Sequence, residues 1–158
     1  MLIREYFNFI VTLKEMNQNQ APHFKMIEHI GIAVANLEEA IPRYEKMMGN
    51  RVYKREIVES EGVETACLLC GPNKIELLES RNPEGVIARF LAKRGEGLHH
   101  VAYAVDDIRA EMDRLRQLGI TLLGEEPRPG ADNKWVCFIH PRDASGVLTE
   151  LCQDRDGA

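Results

Sequence analysis

The sequence predicts an α+β fold: two tandem βαβββ modules whose strands form one curved mixed sheet around a cleft. Two repeats and a shared order of elements predict it. Residues 97–107 (GLHHVAYAVDD) repeat the pattern of residues 29–36 (HIGIAVAN), an imidazole followed by alternating apolar residues and a polar turn. His29 to Val34 fall on His100 to Val105 at a spacing of 71. An acid also interrupts an apolar strand late in each half: Glu76 between Ile75 and Leu77, and Glu150 between Thr149 and Leu151, at a spacing of 74. The two spacings differ by 3 residues, which one loop absorbs. A repeat this long is a duplicated half-domain rather than a solenoid unit.

Composition narrows the class of function. With 158 residues and 44% hydrophobic content, the chain suits one ordinary domain or two small modules sharing a core. The net charge is −5 and Lys and Arg form no run, so the electrostatic footprint of a nucleic-acid binder is missing. No apolar run approaches the ~20 residues of a membrane span, so a small-molecule partner is expected, with neither nucleic acid nor membrane. Cys67, Cys70, Cys137 and Cys152 lie in strand-like segments without a regular framework, and free thiols in a reducing compartment are expected. Cys67 and Cys70 have CxxC spacing, but an odd separation on a strand sends them to opposite faces.

Taken in order, residues 1–16 (MLIREYFNFIVTLKEM) carry four charges and no small-residue cleavage site, which predicts an added helix or an upstream extension rather than a targeting peptide. Residues 17–23 are a polar linker. The extension is therefore 1–25, the folded domain 26–153 and the tail 154–158, with module one at 26–80, a connecting helix within 81–97 and module two at 98–153. After the first strand, Leu37, Ala40, Ile41, Tyr44, Met47 and Met48 have helical spacing, stopped by Gly49 and Asn50. Pro42 fits a helix only near its first turn. Strands are expected over 51–58, 64–70 and 74–79, with turns at 59–62 and 71–73. In the connection, Val86, Ile87, Phe90 and Leu91 form a helix closed by Gly95 and Gly97. Module two repeats the order: a strand over 98–105, a helix over 108–118 stopped by Gly119, and strands over 120–124, 135–140 and 147–152.

Alternation along the first strand sends Ile30, Ile32 and Val34 to a core face and His29, Gly31 and Ala33 to the other. The second copy places Val101, Tyr103 and Val105 in the core and His100, Ala102 and Ala104 opposite. An imidazole with only Gly and Ala beside it is expected to face open space. If the modules pack about a pseudo-twofold axis, His29, Glu76, His100 and Glu150 converge from four strands. Two imidazoles and two carboxylates suit a divalent ion, with zinc, cobalt, manganese and nickel all compatible. A carboxylate among Ile and Leu would otherwise suffer a large desolvation cost. The cleft is thus expected to bind metal. His99 alternates away from His100 and is expected to be structural, as are His23 and His140 beside turns.

With these motifs in place, residues 26–153 resemble the vicinal-oxygen-chelate superfamily, whose members pair βαβββ modules around a metal, and within it the methylmalonyl-CoA epimerase family. The segments that carry the likeness are HIGIAV at His29, KIELLE at Lys74, GLHHVAYAVDDI at Gly97 and HPRDASGVLTELCQ at His140. The resemblance implies the same metal ligands, His29, Glu76, His100 and Glu150, and an acyl-CoA substrate epimerised at C2 through a metal-stabilised enolate. Glu150 is the first candidate base. Where some family members carry a second catalytic Glu, Thr65 stands here and is no base; Glu64 faces the other way, and Glu76 is the fallback. Lys134 and Thr65 are the expected substrate-binding positions, Lys134 for a substrate carboxylate or a CoA phosphate. Arg89, Lys93 and Arg94 are expected only to solvate their helix.

The rival readings are a glyoxalase-type lyase acting on a glutathione hemithioacetal with the same ligands, and a metal-free small-molecule-binding module of the same fold. A ring-cleaving dioxygenase would prefer a two-His, one-carboxylate site, against which the fourth ligand argues. A homodimer is expected from the exposed sheet edges or the apolar extension. The cytoplasm is the expected compartment, with the mitochondrial matrix as the alternative if the mature start lies downstream.

Overall fold

The computed structural model describes residues 23–155; the helix expected over residues 1–16, most of the linker and the end of the tail lie outside them. Module one contains β1 (Met26–Ala33), α1 (Leu37–Met48), β2 (Lys54–Val58), β3 (Val63–Cys70) and β4 (Asn73–Ser80). The connecting helix is α2 (Val86–Arg94). Module two contains β5 (Gly97–Ala104), α3 (Ile108–Gln117), β6 (Arg128–Pro129), β7 (Lys134–Ile139) and β8 (Thr149–Asp154), with a 3-10 turn at Pro141–Asp143.

All eight strands form one sheet in the order β2-β3-β4-β1-β5-β8-β7-β6. The order reads the same from either edge once modules are exchanged. Each first strand pairs in parallel with its own module's last strand, β1 with β4 and β5 with β8, and β1 joins β5 antiparallel at the seam. The expected duplication is therefore visible in the pairing itself.

Local chemistry explains the helices that flank the sheet. Asn36 caps α1 by accepting from the Glu39 N–H at 3.2 Å, and Gly49 closes it with φ 72°, a left-handed position that glycine takes without strain. Asp107 caps α3 by accepting from the Arg109 and Ala110 N–H groups, both at 3.0 Å. The α1 helix runs through Pro42, one turn further in than expected. Both helices lie on the outer face of their own module. There α1 covers Val34, Ala66, Leu68 and Leu77, and α3 covers Val105, Cys137, Ile139 and Leu151. Burying each such Leu contributes roughly 1.5–3 kcal/mol.

The helix-covered face is less complete than expected along the seam. Val34 and Val105 are buried as predicted, but Ile30, Val101 and Tyr103 are only half-buried, whereas the opposite face holds His29, Ala33, His100 and Ala102 at 6% exposure or less. The inner face is a second interior.

Module two departs from its copy at one place. The strand expected over 120–124 reduces to a single bridge from Leu122 to Ile139, and a two-residue strand, β6, takes the edge instead. The Leu123 N–H still donates to the Phe138 carbonyl and the His140 N–H to the Thr121 carbonyl. Gly124 at φ 139° then turns the chain away, and Pro127 and Pro129 lack the N–H groups a longer edge strand would use. From β6 the chain returns through Asp132 and Asn133, both with φ above 50°, the conformation of a tight hairpin that Asp and Asn tolerate. All four cysteines are free, with Cys67 buried and Cys70 exposed, as the opposite-face expectation requires. Among the described residues no helix is long and apolar enough to cross a membrane.

Candidate metal centre

The inner face encloses a cleft of about 280 Å³, and period-two alternation decides most of its lining. Lys74, Glu76 and Leu78 come from β4, Val63 and Thr65 from β3, and Lys134, Val136 and Phe138 from β7. At its floor the four predicted ligands meet. His29 Nε2 lies 2.9 Å from His100 Nε2, 3.5 Å from Glu76 Oε2 and 3.7 Å from Glu150 Oε2, and His100 Nε2 lies 3.1 Å from Glu150 Oε2. All four side chains are at most 6% exposed as residues.

Strand register explains the convergence. Across the seam His100 stands opposite Gly31 and His29 opposite Ala102; those two small residues in turn pair with Glu76 and Glu150. Each imidazole thus lies over the other module's small residue. This corrects one expectation, because the space beside Gly31 is not open. A Cβ built there would lie 2.2 Å from His100 Cε1, so the missing side chain is the room that the ring occupies.

Two β-bulges complete the site and defeat simple alternation. Between Ile27 and His29 the register slips past Glu28, and between Gly31 and Ile32 it slips past His99, so that consecutive residues face the same side. His99, expected on the opposite face, therefore lines the cleft, with its Nδ1 2.9 Å from His100 Nδ1 and its ring edge-on to Phe90. Glu28 holds His29 Nδ1 at 2.5 Å. Both predicted ligand rings thus have Nδ1 engaged outward and Nε2 directed inward, an arrangement that would fix a metal-binding tautomer.

The donor set fits a divalent ion. Oxygen and nitrogen ligands about 2.1 Å from a shared centre and at right angles would stand about 3 Å apart, close to the observed separations. Donor atoms of His29, His100 and Glu150 all lie within 4.8 Å of one another; Glu76 stands just outside this tight group of three, beside His29. Electrostatics mark the same spot. Burial opposes charge on His29, but hydrogen bonds with Glu150 and Glu28 outweigh it and lift the imidazole to about 10. Burial likewise opposes charge on Glu150, yet His100 and His29 hold it at about 2. Glu76, with burial dominant, is pushed up. The floor stabilises positive charge at its centre.

One end of the cleft carries an ion network that sequence reading missed. Lys74, 8% exposed, lies 2.7 Å from both Glu28 and Asp132; Lys54 lies 2.8 Å from Asp132, and Lys134 3.5 Å from Glu28 and 2.5 Å from Asp154. Lys74 shares a face with Glu76, a signal that alternation could have used. Lys134 and Thr65 line the cleft where expected, Thr65 at 2% exposure. Glu64 faces away, paired with Arg55 and Arg81. His23 sits beside Glu111 and His140 caps the 3-10 turn. Arg94 stacks on Phe90, and Arg89 bonds the Glu84 carbonyl.

Comparison with known proteins agrees with this geometry. Residues 28–138 match the Glyoxalase/Bleomycin resistance protein/Dioxygenase superfamily. The chain is 40% identical over 129 residues to the ethylmalonyl-CoA/methylmalonyl-CoA epimerase of Cereibacter sphaeroides, covering 80% of this chain and 96% of that one. It is 38% identical over 128 residues to the human mitochondrial methylmalonyl-CoA epimerase, covering 80% of this chain and 73% of that one. The crystal structure of methylmalonyl-CoA epimerase from Mycobacterium tuberculosis superimposes with a TM-score of 0.82 at 36% identity, covering 89% of this chain and 95% of that one. A variant of the Streptomyces coelicolor methylmalonyl-CoA epimerase in complex with 2-nitronate-propionyl-CoA gives 0.80 at 35% identity, covering 83% and 98%. The chain belongs to the glyoxalase/bleomycin resistance protein/dioxygenase superfamily, on its methylmalonyl-CoA epimerase branch.

Proposed function

We propose that this protein is a metal-dependent isomerase that interconverts (R)- and (S)-methylmalonyl-CoA by moving the proton at C2. The observation that carries the reading is the buried floor of His29, His100 and Glu150, with Glu76 beside it, at the base of a cleft with lysines at one end. The names of the relatives supply the substrate class. His29, His100, Glu76 and Glu150 are the proposed ligands. A divalent ion held by them would offset the negative charge that develops on the thioester oxygen as the C2 proton leaves.

The chain's own groups perform the rest. Glu150 is ionised at neutral pH because two imidazoles hold it so, and it is the proposed acceptor of the C2 proton. Thr65, buried in the wall, packs against substrate rather than exchanging protons. Lys134 and Lys74 offer positive charge to a substrate carboxylate. The apolar part of the wall, Val63, Leu78 and Val136 among others, excludes water from the reacting carbon. Glu76 is the repeat-mate of Glu150 and the acid that sequence reasoning puts forward for the opposite face. The exposed apolar residues along the sheet, Ile57 on edge strand β2 among them, support a homodimer, which sedimentation would test.

Proton exchange at C2 of methylmalonyl-CoA in deuterated water tests the reading, with the protein stripped of metal and resupplied with cobalt, manganese, zinc or nickel. Metal-dependent exchange with loss of chiral purity is expected, with epimerisation abolished by Glu150→Gln. Absence of exchange with every ion, or turnover of a glutathione hemithioacetal instead, would overturn it.

A further inference from the structure

An epimerase needs a proton donor on the face of C2 away from its base, and the β3 position that the family resemblance points to holds Thr65. Five carboxylates line the cleft: Glu28, Glu61, Glu76, Asp132 and Glu150. Glu28 is held by His29 and Lys74, and Asp132 by Lys54 and Lys74; both are poor donors because those partners keep them ionised. Glu76 lies on the floor beside Glu150, one oxygen 3.5 Å from His29 Nε2 and the other 3.9 Å from Cys67 Sγ. It is already assigned to the metal as a proposed ligand. Glu61 is the remaining acid.

We propose that Glu61 is the second acid/base residue, exchanging a proton with the face of C2 opposite Glu150. This rests on the epimerase reading. Glu61 belongs to the turn between β2 and β3, four residues before Thr65, and enters the cleft from its wall. Its Oε1 is shielded from solvent and makes no hydrogen bond; Arg128 Nε lies 2.9 Å away in an ion pair but is not aimed at it. A shielded carboxyl oxygen without a hydrogen bond calls for an explanation, and a catalytic role is one. Its location is fixed by a chain of contacts. Arg128 stacks over Phe138 at 5.4 Å, and Phe138 packs edge-on against His100 at 5.7 Å, so Glu61 hangs where module one's turn meets module two's edge. Burial pushes its carboxyl up, opposed by Arg128 and reinforced by the charge on Glu150. The upward push on Glu61 favours the protonated form that a proton donor needs.

In one direction Glu150 takes the C2 proton while the C–H electron pair moves into the enolate. Glu61 then gives its proton to the opposite face, and that electron pair forms the new C–H bond. Glu150 leaves protonated and Glu61 ionised; exchange with water restores both, and the other epimer runs the steps in reverse.

The test uses Glu61→Gln, loaded with metal, on each epimer separately in deuterated water, following the C2 proton by NMR. Epimerisation is expected to fall about 100-fold or more. Deuterium still enters the one epimer that presents its C2 proton to Glu150, with configuration retained. That one-sided exchange also shows that the fold and the floor are intact. Exchange of both epimers at the wild-type rate, or loss of exchange from both, overturns the assignment. Failure of the wild-type protein to exchange either epimer removes the epimerase reading itself, and is seen without the variant.

Discussion

Modules one and two place an acid at the same point of their last strand and surround it differently. Glu150 in module two lies 3.1 Å from His100 and 3.7 Å from His29, and the two imidazoles keep it ionised at about 2. Glu76 in module one has His29 at 3.5 Å and a thiol on its other side, and burial pushes it up. Duplication of a backbone decides where donor atoms converge; the neighbours, which were not kept alike, decide which protons they carry. The same holds for the partners behind the proposed ligands, a carboxylate for His29 and an imidazole for His100.

The largest test of this asymmetry is at the seam. Gly31 makes room for His100, whereas its counterpart Ala102 faces His29 with a methyl already in place. Gly31→Ala must displace the His100 ring and should lower divalent-metal affinity on the order of 100-fold or more, a ligand being lost rather than merely reoriented. Ala102→Gly should leave metal affinity within a few-fold and cost about 1 kcal/mol of stability. Calorimetric metal titration of both variants checks the pair. Equal losses would mean that the two small residues are interchangeable and the asymmetry is not functional.

A smaller effect is expected one layer out. Glu28→Gln replaces a charged acceptor on His29 Nδ1 with a neutral one and should weaken metal binding by about 10–100-fold. His99→Gln exchanges one neutral partner for another, because burial, with the charge of His100, holds His99 down at about 4, and should weaken it less. The order of the two affinities is the measurement; a larger loss from His99→Gln would reverse the reading of the two bulges.

The hairpin at Asp132 ties module two to module one. Its N–H donates to Glu56, and its carboxylate meets Lys54 and Lys74. Burial works against that charge, but the hydrogen bonds from the two lysines prevail and hold the carboxyl at about 2, against an ordinary value of 3.8. A depressed carboxyl contributes stability that is fully present above about 3.8 and lost as pH falls through about 2, since the unfolded chain binds the proton first. Acid unfolding of Asp132→Asn should therefore show a shallower loss of stability between these limits than the wild type. An unchanged slope would assign the acid sensitivity to the other carboxylates.

Much of what was legible in the sequence lies in its repeat, although the connecting helix α2, which has no copy, was read from its own spacing. His29, Glu76, His100 and Glu150 are found by laying one half on the other, and α1 and α3 by helical spacing stopped by a glycine. Glu28 and His99 escape because a bulge is set by how two distant strands pair, which period-two reasoning along one strand does not contain. Gly31 looked like open space because a missing side chain and a filled gap are the same letter. Edge strand β6 was misplaced because Leu122 and Leu123 carry the apolar signal while Pro127 and Pro129 govern the hydrogen bonds. Lys74 shares its strand face with Glu76 but its repeat-mate is Leu148, so symmetry did not point to it.

The smallest expected effect separates the two helix starts. Asp107 accepts from two N–H groups at 3.0 Å and brings a negative charge to the positive end of α3, whereas Asn36 accepts from one at 3.2 Å and is neutral. Removing a cap costs about 1 kcal/mol, and loss of the charge at a helix start adds about 0.3–1 kcal/mol. Asp107→Ala should therefore lower stability in urea more than Asn36→Ala, and Asp107→Asn should recover most of the difference. Salt distinguishes the two contributions, because the charge term is screened while the hydrogen bonds are not. If raising the ionic strength brings Asp107→Ala no closer to Asn36→Ala, the difference lies in the second hydrogen bond, and the helices differ in geometry rather than in charge.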